Sequence, residues 1–323
     1  MDADRLTTSR GGSALKGSRR KSLRMTHWTD GFNESLQDTL EMFINRGWEL
    51  FQCSPLFGYS TQVNPSKYTL TLRNHCAQMD EEDEDVEYKV QFNCMDKVGY
   101  RGIDTIIKVE VRKVNEEEED IQIYLGYFMS WGTRKLSSEF YVVPLLLFRA
   151  KTAKIRNHIH TGFRKMFDCI IEPYFLGDIQ LIWLNSLFVS VSKDARDERS
   201  NVVRFTLLPT WTNQDKLELF VSLSDLRKVW ARIRSTNDTI FYEESRRLYG
   251  GLIRSISEKL GINLSGFRIY EIKYPDVTIK SSGKLACRNV ETLHELLTFL
   301  FNEKARAIYA LDGSFWEDSD EEF

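Results

Sequence analysis

The chain has 323 residues, 42% hydrophobic and 12% aromatic, enough for two ordinary domains and a large buried core. Its formal net charge of −3 excludes a generic polyanion binder, so any nucleic-acid contact must come from a local patch. Cys53, Cys76, Cys94, Cys169 and Cys287 are odd in number and unclustered, which suits buried thiols in a reducing compartment and excludes a disulfide framework.

Residues 1–35 read as a disordered basic tail, rich in Gly and Ser. Its cluster Arg19-Arg20-Lys21 suits nuclear import or phosphate contact, and makes Ser22 a candidate for a kinase that prefers basic residues. Met1 to Asp4 lacks the apolar core of a secretory signal. A first α+β domain is expected over 36–191. Leu36, Leu40, Phe43 and Ile44 have helical spacing, with Gly47 as the stop. Strand alternation then follows in Tyr68, Leu70 and Leu72, in Val86 to Cys94, in Ile107 to Val111 and in Ile121 to Trp131. Two acidic runs, 80–85 and 116–120, read as solvent-exposed hairpin loops. Neither has the ligand spacing of a calcium loop. The longest apolar run, Tyr141 to Phe148, has eight residues and contains Pro144, far short of the roughly 20 a membrane span needs. No membrane partner is expected, and a cytosolic or nuclear protein is.

Between Phe140 and Phe167 lie six basic residues and no acidic one. A helix is expected over 152–170, with Ile155, Ile159, Phe163, Met166 and Ile170 on one face. Lys151, Lys154, His158 and Lys165 fall on its flank, a cationic stripe suited to a negative partner. Lys151, Lys154, Arg156, Arg164 and Lys165 are the candidate nucleic-acid contacts. A solvated helix face is the competing use of such a stripe. Ile179 to Val191 is a buried helix or strand, and 192–201 a loop near a domain boundary.

A second α+β domain is expected over 192–310. Val203 to Leu207 and Leu217 to Leu223 alternate as strands, and Ser224-Asp225 can cap the next helix. A longer helix stops at Gly261, Phe267 to Ile272 and Lys284 to Arg288 are strands, and Leu293 to Phe301 lie in a last helix. Residues 311–323 hold six acids and no base, and read as an acidic disordered tail.

No catalytic or cofactor constellation is present. Gly12 to Gly17 has phosphate-loop spacing, but Ser18 stands where the lysine belongs. His294-Glu295 begins a zinc-protease pattern, but Thr298 replaces the second histidine, and His294 reads as a helix-surface residue. His158 and His160 diverge on their helix and cannot share a metal. Cys169 reads as packed. No enzyme activity, metal or cofactor is expected.

Several segments resemble the centromere protein L family. They are Trp48-Glu49-Leu50-Phe51, Ser54-Pro55-Leu56-Phe57 with Tyr59, and the block from Phe140 through Pro144-Leu145 to Thr161. Phe163-Arg164-Lys165-Met166-Phe167-Asp168-Cys169 with Pro173 continues it, then Leu181 to Trp183. Asp225 to Trp230 and Ser282-Gly283-Lys284-Leu285 to Cys287 complete it, over roughly residues 40 to 305. The resemblance implies a non-enzymatic inner-kinetochore subunit in the nucleus, built on curved antiparallel sheets with helices packed on one face. It implies pairing with centromere protein N through the C-terminal region, contact with centromere protein C, and a place against the centromeric nucleosome and DNA. A strand edge at Lys284, Leu285, Ala286, Cys287 and Arg288 is the expected partner-binding element. The alternative is a stand-alone nucleic-acid binder of related fold, with Trp131 and Tyr127 stacking on bases.

Overall fold

A computed structural model describes residues 22–24, 34–60, 65–79, 86–98, 104–114, 119–130, 140–194, 201–212, 214–235 and 239–310. The expectations for Gly12 to Gly17, Arg19 to Lys21, 80–85, 116–118, Trp131 and 311–323 lie outside these residues.

In chain order the elements are β1 (Ser22–Arg24), α1 (Glu34–Glu41), β2 (Arg46–Cys53), β3 (Leu56–Phe57), α2 (Pro65–Cys76), β4 (Tyr88–Val98), β5 (Asp104–Lys113), β6 (Ile121–Met129), β7 (Phe140–Tyr141), β8 (Leu145–Ala150), α3 (Ala153–Phe167) and β9 (Ile171–Pro173). They continue with α4 (Asp178–Val191), β10 (Val202–Pro209), β11 (Leu217–Ser222), α5 (Leu223–Ile233), β12 (Thr239–Phe241), α6 (Tyr242–Leu260), β13 (Phe267–Lys273), β14 (Val277–Lys280), β15 (Lys284–Cys287) and α7 (Val290–Ala310).

Among the described residues, eleven strands form one antiparallel sheet, ordered β11-β10-β13-β14-β15-β2-β8-β6-β5-β4, with β9 also pairing with β2. The expected α+β class holds, but the two expected regions of sheet are halves of one. Their seam is the pairing of β15 with β2, Lys284 opposite Glu49 through to Cys287 opposite Arg46.

The helices cover the two halves on opposite faces. Alternation along β2 sends Trp48 and Leu50 into one core and Phe51 and Cys53 into the other. β8 divides likewise, Leu145 and Leu147 against Leu146 and Phe148, so both strands are buried on both sides. That is why 145–148 reads as an unbroken apolar run. One core packs α2 and α3 on β4, β5, β6 and β8. The other packs α1, α4, α5, α6 and α7 on the C-terminal strands together with β2, β6 and β8. The division expected after Val191 is therefore not where the packing divides, because α1 and α4 belong to the second core.

Local chemistry explains several departures. Tyr68, Leu70 and Leu72 lie in a helix, not a strand: Tyr68, Leu72 and Cys76 are buried at helical spacing and Leu70 is 52% exposed. Pro65 suits the first helical turn, where no N–H is needed. The first helix stops before Gly47, and Asn45 makes the turn with φ of 59°. The α5 cap is Ser222, whose side chain accepts from the Asp225 N–H at 3.4 Å, rather than Ser224. Ser22–Arg24, expected in the disordered tail, pairs antiparallel with Thr239–Phe241. His294 is buried 3.8 Å from Glu295, not on the helix surface.

A candidate nucleic-acid interface on α2 and α3

α3 starts where the Thr152 side chain accepts from the Ile155 N–H at 3.2 Å, and ends at Asp168 in the left-handed region. Ile159, Phe163 and Phe167 bury its inner face. Lys165 follows Lys154 by eleven residues, three turns plus about 20°, so the two share one outward line. His158 and Thr161 lie between them on that line.

α2 lies beside this line. The His75 and His158 rings stack with centroids 4.2 Å apart. The helices approach at Gly162, where a Cβ would sit 2.6 Å from His75 Cδ2 and 3.0 Å from Leu72 Cδ1. α2 adds exposed Lys67 and Arg73, and neither helix contains an Asp or Glu. Lys67 lies about 80° from His75 around α2, on the outward side. Sequence reasoning missed these two cations by assigning α2 to a strand. The Tyr68, Leu72, Cys76 spacing behind Pro65 was the signal.

The five expected contacts divide into two groups. Lys151, Lys154 and Lys165 are exposed, with no acidic partner among the described residues. Arg156 lies about 200° from Lys154, on the inward side of the helix. Its guanidinium rests 5.8 Å over the Phe51 ring and 3.5 Å from Glu49. Arg164 donates to the Ile171 carbonyl. Both arginines are engaged in the fold. Beneath them His160 is buried, 3.3 Å from the Tyr124 hydroxyl. Burial, followed by the charges of Arg156 and Arg164, lowers its pKa to about 3. His158 and His160 diverge as expected, and Cys169 is packed as expected.

The expected partner-binding strand is not an edge. Leu285 and Cys287 are buried, and Lys284 pairs with Glu49 at 3.7 Å. The strand is bonded to β14 on one side and β2 on the other, and the Arg288 N–H donates to the Asp276 carbonyl at 2.7 Å. With a strand paired on each side, β15 offers no sheet edge to another chain. Among the described residues the border strand of the C-terminal half is β11, which carries Phe220 at 66% exposure. Beside it the helix-free sheet face holds a chain of ion pairs. Arg204 lies 3.4 Å from Glu218 and 2.9 Å from Glu271, and Lys280 lies 3.0 Å from Glu271.

Base stacking by Tyr127 is also excluded. Tyr127 is buried edge-on against Phe43 at 4.7 Å and Trp48 at 5.6 Å. No group of three or more His, Cys, Asp or Glu among the described residues is placed to hold a metal. No described helix is long and apolar enough to cross a membrane.

The described residues form a mixed α+β fold with a carboxylate-free helix pair, α2 and α3, and a sheet border at β11. The sequence profile of centromere protein L matches residues 42–305, most of the chain, and the chain belongs to that family. No curated protein matches it. Membership makes it a kinetochore subunit of the nuclear centromere, with a part in chromosome segregation and cell division.

Proposed function

We propose that this subunit is non-enzymatic and anchors the inner kinetochore on centromeric nucleosomes, with DNA phosphates held by the outward surface of α2 and α3. Lys151, Lys154 and Lys165 are the principal contacts, with Lys67 beside them. One observation carries this reading: in a protein of net charge −3, two adjacent helices contain no carboxylate and keep three lysines uncommitted. Arg156 and Arg164 support the helix from below. Pairing with centromere protein N uses the C-terminal half through the β11 edge, where backbone groups and Phe220 are available. Contact with centromere protein C follows from the same assembly.

The test is the salt dependence of DNA binding. Each phosphate neutralised contributes roughly 0.9 to the log–log slope. Lys154→Glu with Lys165→Glu is expected to flatten the slope by about 1.8. An unchanged slope overturns the assignment.

A further inference from the structure

β2 pairs with β9 so that Cys53 lies opposite Ile171, two residues beyond Cys169. The Ser54 N–H donates to the Ile170 carbonyl at 2.9 Å, and the Ile170 N–H donates to the Ser54 Oγ at 2.8 Å. These two bonds hold the 53–54 and 169–170 backbones side by side. From that join both cysteines turn inward into the same core, at 4% and 5% exposure. We propose that Cys53 and Cys169 form a reversible redox latch, in which a small two-electron oxidant joins them as a disulfide that ties β2 to the end of α3.

The two thiols are already in contact and are unlike each other. The Cys53 thiol donates to the Cys169 sulfur, and the Cys169 thiol donates to the Phe163 carbonyl at 3.7 Å. The bond from Cys53 holds the Cys169 thiol below its ordinary pKa, and the Arg164 charge adds to this against the opposing effect of burial. The same bond, followed by burial, pushes Cys53 well up. Cys169 is therefore the partner that forms thiolate, and Cys53 the thiol that resolves it. The exposed side chains of Asp168 and Ile170 flank Cys169, so it lies one side chain below the surface, within reach of a small oxidant. Cys287 belongs to the other core, and burial pushes the Cys76 thiol up to about 12.

Hydrogen peroxide illustrates the balance. The Cys169 thiolate attacks one peroxide oxygen, an S–O bond forms, the O–O bond breaks, and hydroxide leaves to take up the thiol's proton as water. The Cys53 sulfur then attacks the Cys169 sulfenic acid. An S–S bond forms, the S–O bond breaks, and the departing hydroxide takes the Cys53 proton as a second water. Two thiols lose two electrons and the peroxide gains them. A reducing nucleus keeps the pair as thiols at rest, and a dithiol reductant reverses the bond. The linked residues are 116 positions apart, across the strand that both cores share. Closing so long a loop restrains the unfolded chain and raises stability.

The test treats the folded full chain with hydrogen peroxide, alkylates the remaining thiols and maps peptides without reduction. A Cys53–Cys169 peptide is expected as the main product, the urea midpoint is expected to rise, and dithiothreitol is expected to return both to their starting state. In Cys53→Ala the resolving thiol is gone, and Cys169 sulfenic acid trapped by dimedone is expected to increase at least about five-fold. Peptide mapping of the unsubstituted chain decides the proposal even if that variant fails to fold. A link that forms only after urea is added would overturn it. So would oxidation that follows exposure alone, consuming half-buried Cys94 while Cys53 and Cys169 stay reduced, or a link that leaves the midpoint where it was.

Discussion

His75 and His158 clasp α2 to α3 by mutual exchange. The His75 Nε2 meets the His158 carbonyl at 3.0 Å, and the His158 Nε2 meets the His75 carbonyl at 2.7 Å. Both carbonyls accept, so both Nε2 atoms carry hydrogen. His158→Ala is expected to cost about 1–3 kcal/mol in urea unfolding, because a part-buried carbonyl loses its donor. Gly162→Ala at the same crossing is expected to destabilise, although Ala is the better helix former by about 1 kcal/mol. Its methyl would strike an imidazole that two hydrogen bonds hold in place.

Acid should weaken the fold through His160. Burial first, then Arg156 and Arg164, lowers its pKa to about 3 from the ordinary 6.5. The unfolded chain binds this proton below about pH 6.5 and the folded chain only below about 3. The stability is complete above 6.5 and declines as pH falls through that window, by about 2 kcal/mol at pH 5. His160→Phe is expected to flatten this part of the stability profile, measured by denaturant midpoints between pH 4 and 7.

Arg156 and Lys151 should behave in opposite ways. Arg156→Ala removes the cover over Phe51 and the Glu49 contact, and is expected to lower stability by about 1–2 kcal/mol while leaving the DNA salt slope unchanged. Lys151→Glu is expected to leave the denaturant midpoint alone and flatten the slope by roughly 0.9. Lys67→Glu is expected to do the same, which would extend the interface to α2.

The proposed pairing with centromere protein N should respond to β11 rather than β15. Ala286→Pro strikes a strand bonded on both sides and is expected to cost about 3 kcal/mol or more, read as aggregation or a lost unfolding transition. Phe220→Asp, at an exposed edge position, is expected to preserve the unfolding transition and abolish co-purification. Retained co-purification would exclude the β11 edge.

Much of the fold was legible because long alternating or helical runs report burial directly. Ile155, Ile159 and Phe163 marked the inner face of α3, and Val90 to Cys94 alternated as they do in β4. Three-residue patterns failed, as with Tyr68, Leu70 and Leu72, where two helical contacts also satisfy a period of two. The interior position of β15 was invisible because its partner β2 lies at the other end of the sequence. The site was legible in charge but not in commitment. Lys154 and Arg156 look alike in a basic run, and only the 200° between them separates an exposed lysine from a guanidinium packed on Phe51.

The seam between β15 and β2 has a consequence for synthesis. Its paired residues are roughly 240 positions apart, so the closing contact is among the most non-local a chain of this length can make, and closure is expected to be slow. While the last strands are still on the ribosome, β2 presents an unsatisfied border beside a half that can already collapse around α2 and α3. Chains terminated before Lys284 would keep that border open, and are expected to be captured by chaperones or to precipitate.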